Sequence, residues 1–354
     1  MNSPRLFTLV LLFVVPYIVL YTDFTIHVSL LLHQIDHFSH GSHIALDNEK
    51  WAFLFDEQTL SYNYRLISYV RNELHGDPEH RFSKLIRKSH EFLRDVRKRC
   101  EKEKLVTHWG FEMNPVPKPR MLIKREKEKI VFASNPKTGT TSFKRFLFYL
   151  DGNFELLDRY HDKPRGHFGI IEDMKADQAN FRFSLGQYIK IGMVRNPLTR
   201  LVSAFRDKQL RKFEFFKPGV NHNRTDFETF TRFIDTILPS DTGKANIHLA
   251  PQWDQMKVCQ WPYDLLIPYE NLSEYLELFT DMTGTGSTPY PGSRENVGAD
   301  SHGSSFYSEL FFTDLDQRRM DVVYDHYKLD FKLLGYSRFG DKDFPNLKNF
   351  SIPG

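Results

Sequence analysis

Apolar positions along the chain fall into three textures. Leu6 to Tyr21 is a nearly unbroken apolar run, interrupted by Pro16 and closed by Asp23 and His27, after which apolar character resumes at Val28 to Leu32. From there to about Leu122 neither Gly-rich turns nor alternating strands stand out. This stretch reads as a stem followed by helices, with Pro115, Pro117 and Pro119 marking a stiff linker. From Ile130 onward short apolar blocks alternate with helical stripes. Ile130 to Ser134 suits a buried strand, and Phe143, Phe146, Leu147 and Leu150 then recur at helical spacing. Tyr188 to Val194 is a second strand, followed by the stripe Leu198, Leu201, Val202 and Phe205, with Asn196 placed to cap that helix and Pro197 in its first turn. Tyr263 to Pro268 and a helix over about Leu272 to Met282 form a third pair. Strands that alternate with helices predict an α/β fold, a P-loop-like parallel sheet flanked by helices, with ligands at the carboxyl ends of its strands.

The leader is short for a bilayer span, which needs about 20 apolar residues, and long for a signal-peptide core of about 7 to 15. No small-x-small cleavage site follows Tyr21 closely, and Arg5 precedes the run, so the expectation is an uncleaved anchor with a cytosolic amino terminus. A cleaved signal and a buried helix are the alternatives. The expected organisation is a cytoplasmic tail over 1–5, a transmembrane signal-anchor over 6–26 and a stem with helical lead-in over 27–125. A catalytic domain over 126–340 and a tail over 341–354 complete it. Everything beyond the anchor would then be luminal.

Composition narrows this picture in a few places. With 354 residues, 40% of them hydrophobic, the chain can bury a sizeable core. A net charge of +3 is too mild for a nucleic-acid binder. Basic residues nevertheless crowd over Arg81 to Arg99 and over Lys118 to Lys129, either as solvated faces or as a rim for a polyanion. Asn223, Asn271 and Asn349 fit the glycosylation sequon, although Asn271 also suits a capping box closed by Glu274. Cys100 and Cys259 suffice for one bridge in an oxidising lumen, or are two buried thiols. His33, His37, His40 and His43 lack the partners of a strong ligand set, and no metal is expected.

Two segments carry chemistry. Asn135-Pro-Lys-Thr-Gly-Thr-Thr-Ser142 joins strand to helix, with Gly139 in the turn and hydroxyls at Thr138, Thr140, Thr141 and Ser142. Such a turn exposes backbone N–H groups at the positive end of a helix and cradles phosphate. It is not the ATP loop G-x-x-x-x-G-K-[ST], because Lys137 precedes Gly139, and no strand-end Asp for magnesium is visible; a P-loop kinase or NTPase is therefore disfavoured. A lysine at the loop entrance is placed to neutralise charge on a departing phosphate oxygen. Val194-Arg-Asn-Pro-Leu-Thr-Arg-Leu-Val-Ser203 adds Arg195 at a strand end and Ser203 about two turns into a helix, a second phosphate clamp. Two such clamps on adjacent units match a nucleotide phosphorylated at both ends of its ribose.

At these residues the sequence resembles the sulfotransferases that use 3'-phosphoadenosine 5'-phosphosulfate (PAPS). Arg195-Asn-Pro-Leu-Thr-Arg-Leu-Val-Ser-Ala-Phe-Arg-Asp-Lys208 is similar to the Golgi carbohydrate sulfotransferases, in particular the group of chondroitin and dermatan 4-O-sulfotransferases and the natural-killer-epitope sulfotransferase. The likeness runs from about Ile130 to Tyr336 and includes Ile247-His248, Pro251, Tyr263-Asp264 and Tyr324 to Phe331. It implies a PAPS site made of Pro136, Lys137, Thr138, Gly139, Thr140, Thr141, Ser142, Arg195, Arg200 and Ser203, with Lys137 also catalytic. It also implies a Golgi membrane location of single-pass type II and an anionic glycan acceptor such as chondroitin or dermatan. The chain departs from the family at Thr140, Ser142 and Phe143, and Met256 stands where the first Cys of a Cys-x-x-Cys pair is usual. Cys100 sits where a family cysteine is expected, which suggests a Cys100 to Cys259 bridge.

Transfer to an alcohol needs a base, and His161, His167, Glu172 and Asp173 lie between the two motifs. The resemblance favours His167, because His167-Phe-Gly is similar to a His-Tyr-Gly segment of the family. Arg206, Lys208, Arg211, Lys212, Arg294 and His302 are candidates for acceptor binding, and Phe213, Phe215 and Phe216 for stacking on sugar rings. A glycan-binding protein on the same scaffold without catalysis is the alternative, against which Lys137 speaks.

Overall fold

The computed structural model describes residues 64–106, 118–150, 188–207, 226–236, 238, 246–284 and 311–338. Helices α1 (Tyr64–Asn72) and α2 (Arg81–Lys102) precede a hairpin of β1 (Leu122–Arg125) and β2 (Ile130–Ala133). Helix α3 (Thr140–Leu150), strand β3 (Ile189–Val194), helices α4 (Pro197–Phe205), α5 (Asp226–Thr236) and α6 (Gln252–Gln255), and strand β4 (Leu265–Pro268) follow. After a 3-10 turn at Tyr269–Asn271 come α7 (Leu272–Met282), α8 (Gln317–His326) and α9 (Lys328–Leu334).

The sheet order is β1-β2-β3-β4, with β2, β3 and β4 parallel and β1 antiparallel on the edge. The three parallel strands are those expected from the apolar blocks, and helices flank them. The antiparallel β1 was not expected. Lys124 and Arg125 make its outer half look like a solvated charge run, which suits an edge strand, where charge deters further pairing. Because β1 pairs with β2 from Leu122↔Ala133 to Arg125↔Ile130, the lead-in and the catalytic segment share one sheet across 125/126.

Alternation along β2 sends its side chains to two layers. Phe132 meets Phe143 of α3 with ring centroids 4.1 Å apart, and Phe143 and Phe146 in turn pack on Phe279 of α7. Val131 and Ala133 point the other way, into the core that holds Leu198, Leu201, Val202 and Phe205 of α4. Phe205 continues this core to Phe230 and Phe233 of α5. Strand β3 is buried throughout, including Lys190. That ammonium is tolerated because Asp264 Oδ2 lies 2.7 Å away and also accepts the Lys190 backbone N–H.

Among the described residues β4 ends the sheet, and a side chain caps its outer edge. Ser89 of α2 donates from its hydroxyl to the Leu266 carbonyl at 3.2 Å and accepts from the Leu266 N–H at 3.1 Å. Helix α2 is further tied down by a Cys100–Cys259 disulfide, and both residues are fully buried. Asn271 does not close a capping box on α7: its amide donates to the Glu274 carboxylate at 3.4 Å and its side chain accepts no backbone N–H.

The expected anchor at 6–26, the histidines at 33–43 and the sequons at Asn223 and Asn349 lie outside the described residues. Among the described residues no helix is long and apolar enough to cross a membrane.

Candidate active site

The two motifs emerge from the carboxyl ends of neighbouring parallel strands, β2 and β3. The first loop turns sharply, with left-handed backbone at Lys137 (φ 70°) and at Gly139 (φ 89°). Its hydroxyls hold the turn from within: Thr138 and Thr140 both donate to the Asn135 carbonyl, at 2.8 and 2.6 Å, and Ser134 donates to Thr140 Oγ1. Intrahelical bonding in α3 begins with Phe143 N–H to the Gly139 carbonyl, so the turn at Gly139 runs directly into the helix. Thr141 and Ser142 sit in that first turn, Ser142 buried.

The second loop is organised by Asn196, whose side chain accepts from Leu198 and Thr199 N–H groups and starts α4 as the sequence predicted. The Arg195 guanidinium is nearly buried, donates from Nε to Thr199 Oγ1 at 3.1 Å and from Nη1 to the Lys137 carbonyl at 3.0 Å. This last bond joins the two loops. Ser203 lies on the same helix, partly exposed. Lys137 Nζ reaches Asp207 Oδ2, just beyond α4, at 2.7 Å.

Arg200, of the second motif, reaches back to the first loop. It is fully buried and donates from Nε to the Pro136 carbonyl at 3.1 Å, and from Nη2 to the Ile247 carbonyl and to Asn135 Oδ1. It therefore braces the first loop from beneath. Burial pulls its guanidinium below the ordinary range, with Tyr327 and Asp330 opposing that shift.

Residues far along the chain support the second loop. Gln252 clamps the Arg195 backbone, accepting its N–H at 3.0 Å and donating to its carbonyl at 2.6 Å. Asp330 in turn accepts the N–H groups of Gln252 and Trp253 at the start of α6. Burial pushes the Asp330 carboxyl up to about 6, against the pull of Arg200 and the two N–H donors. Glu270 accepts the Asn196 N–H at 3.0 Å, and burial raises its carboxyl too.

The basic segments divide. Lys124 and Lys129 pair with Glu126, and Arg125 with Glu128, around the β1–β2 turn, at the opposite end of the sheet from the donor loops. These cations are taken up by local ion pairs, Lys124 and Lys129 half-exposed and Arg125 largely buried with Glu128. His161, His167, Glu172, Asp173, Lys208, Arg211, Lys212, Arg294 and His302 lie outside the described residues, as do Phe213, Phe215 and Phe216.

A phosphosulfate nucleotide fits what is present. The loop backbone takes the two left-handed turns of an anion cradle, a helix begins immediately behind it, and Lys137 and Arg195 supply two cations linked across it. Asn135 Nδ2 and Arg200 Nη1, on the residues that hold this loop, are buried donors without an acceptor among the described residues.

Two cation-bearing loops, joined at the carboxyl ends of adjacent parallel strands, define an α/β protein with a candidate anion site between its crossover units. The profile of the sulfotransferase family matches residues 120–337, more than half of the chain, and the chain belongs to that family. Human (Homo sapiens) carbohydrate sulfotransferase 10 is 26% identical over 239 residues, 60% of this chain and 66% of that protein. The Mus musculus carbohydrate sulfotransferase 10 is 25% identical over 278 residues, 70% of this chain and 75% of that protein. Human carbohydrate sulfotransferase 9 is 24% identical over 239 residues, 60% and 52% of the two chains. The chain thus spans between about half and three quarters of these relatives. No solved structure matches it. Family and relatives together support a PAPS-dependent carbohydrate O-sulfotransferase.

Proposed function

We propose that the protein transfers sulfate from PAPS to a sugar hydroxyl of a glycosaminoglycan or glycoprotein glycan, with the 4-hydroxyl of N-acetylgalactosamine in chondroitin or dermatan as the first acceptor. The observation that carries this reading is the hydrogen bond from Arg195 to the Lys137 carbonyl, which makes one site of two phosphate-binding loops. The donor would supply an activated sulfuryl group on a phosphate leaving group. Gly139 to Ser142 and Lys137 would hold the 5' end, and Arg195 with Ser203 the 3'-phosphate. As the sulfur–oxygen bond to the acceptor forms and the bond to the phosphate oxygen breaks, Lys137 stabilises the charge left on that oxygen. His167 would take the acceptor proton, a contribution of typically about 10²- to 10⁴-fold. Residues 6–26 would anchor the chain in the Golgi membrane with this site in the lumen.

Incubation with labelled PAPS and separate chondroitin, dermatan, heparan and glucuronyl-lactosamine acceptors tests the reading. Label on chondroitin or dermatan is expected, and label on none of the four overturns it. Near-normal turnover by both His167→Ala and His161→Ala would remove the histidine base and turn attention to Glu172. Stabilisation by adenosine 3',5'-bisphosphate without transfer would indicate a glycan-binding scaffold, whereas stabilisation by ATP alone would sink the nucleotide assignment.

A further inference from the structure

Tyr269 opens the 3-10 turn after β4, so it stands at the carboxyl end of the third parallel strand, next to the strand that carries Arg195. Its ring touches both donor loops. The Arg195 guanidinium carbon lies 4.4 Å from the ring centroid. A methyl group on Gly139 would come within 2.5 Å of the ring Cδ2, so the first loop passes directly against the ring. Stacking on the face of a guanidinium consumes none of its in-plane N–H donors, and two of these already point to Thr199 and Lys137. The neighbouring Glu270 fixes the same junction, accepting the Asn196 N–H from one oxygen and the Tyr336 hydroxyl, at 3.4 Å, on the other.

We propose that Tyr269 is a positioning residue of the donor site. It sets the plane of Arg195 and the depth of the Gly139 turn at once, so that phosphate-binding groups on two loops keep a single geometry. An arginine without this ring keeps its charge and its bonds to Thr199 and Lys137 but loses the surface that limits its tilt about them, and the left-handed Gly139 turn loses the surface it rests on. The inference rests on the reading of these loops as a site for a nucleotide phosphorylated at both ends of its ribose.

Calorimetric titration of the full chain with adenosine 3',5'-bisphosphate is the test. Tyr269→Met keeps bulk above Gly139 without a π face, and is expected to weaken binding about tenfold, equivalent to about 1.4 kcal/mol. Tyr269→Leu, equally ringless, gives a similar loss should the Met variant not fold. Tyr269→Phe, which keeps the ring, restores affinity to within about threefold. A purely structural role is separated by a double-mutant cycle: on an Arg195→Gln background the Met substitution changes affinity less than about twofold, although it lowers the melting temperature as before. Wild-type affinity in the Met or Leu variant overturns the proposal, and so does the same tenfold loss on both backgrounds. A wild-type chain that does not bind the bisphosphate overturns the donor reading itself, and the proposal with it.

Discussion

Lys137 Nζ and Asp207 Oδ2 lie 2.7 Å apart, so the lysine of the first donor loop is charge-paired with a carboxylate just past the helix of the second. Both side chains keep partial solvent access. An anion bound in the cradle competes with Asp207 for the same ammonium. Asp207→Asn is therefore expected to tighten bisphosphate binding by about three- to tenfold at low salt, the scale of a partly screened ion pair. Lys137→Ala should lower the rate of transfer by about 10² to 10³. Calorimetry on the first variant and single-turnover transfer on the second check both; unchanged binding by Asp207→Asn would show that the pair does not compete with the ligand.

Arg200 predicts a different kind of loss. Its guanidinium is buried and meets Pro136, Ile247 and Asn135, an arrangement that a lysine ammonium does not reproduce. Arg200→Lys should cost about 2 to 4 kcal/mol of stability, because buried carbonyls lose their donor. Bisphosphate affinity should fall as the Pro136 turn loosens. Chemical denaturation of both proteins measures the first effect, and a variant as stable as wild type would rule out the brace.

The buried Asp330 links stability to pH. Its carboxyl is raised from 3.8 to about 6, mainly by burial, so the folded chain holds this proton to higher pH than the unfolded chain does. The stabilisation from this group is complete below 3.8 and is lost as pH rises through about 6. The melting temperature of wild type minus that of Asp330→Asn should accordingly be largest near the acid end and shrink across this window. Asp330→Asn should also be less stable throughout, since an amide oxygen cannot replace both carboxylate oxygens that accept the Gln252 and Trp253 N–H groups. A pH-independent difference would remove the titration from Asp330.

The Cys100–Cys259 disulfide closes a separation of 159 residues, across which a cross-link restricts the unfolded chain strongly. Replacing both cysteines by alanine should cost about 2 to 5 kcal/mol. Melting temperatures of the two proteins, with and without reductant during refolding, check this; equal stability would assign the bridge no structural weight.

Much of the fold was legible because Ile130 to Ser134, Tyr188 to Val194 and Tyr263 to Pro268 are apolar blocks, each followed by a helical stripe, and Asn196-Pro197 marks a helix start unambiguously. Strand β1 was hidden by its charges, since Lys124 and Arg125 follow the logic of an edge. That Asn135 to Ser142 and Val194 to Ser203 run from strand end into helix could be read from Gly139 and from Asn196-Pro197. Their supports could not. Gln252, Asp330 and Tyr269 act through contacts between segments far apart in the chain, and none sits in a local pattern that announces the role. The one available hint was Gly139 itself, since a turn glycine also permits close approach by a bulky neighbour, and that neighbour is Tyr269. Arg200 was legible only in part: its place within a phosphate motif predicts a ligand contact, whereas its buried bonds to Pro136, Asn135 and Ile247 cross between segments far apart in the chain.

The hydroxyl of Ser89 on the outer edge of β4 also sets how short the protein can be made. The family match begins at residue 120, yet a fragment starting there would lack the helix whose serine occupies the Leu266 N–H and carbonyl. An uncovered strand edge recruits strands from other copies. Truncations intended for expression that retain Arg81 should stay monodisperse, and those that begin beyond Lys102 should self-associate, with both strand-end loops intact in sequence but carried on a sheet that is free to grow.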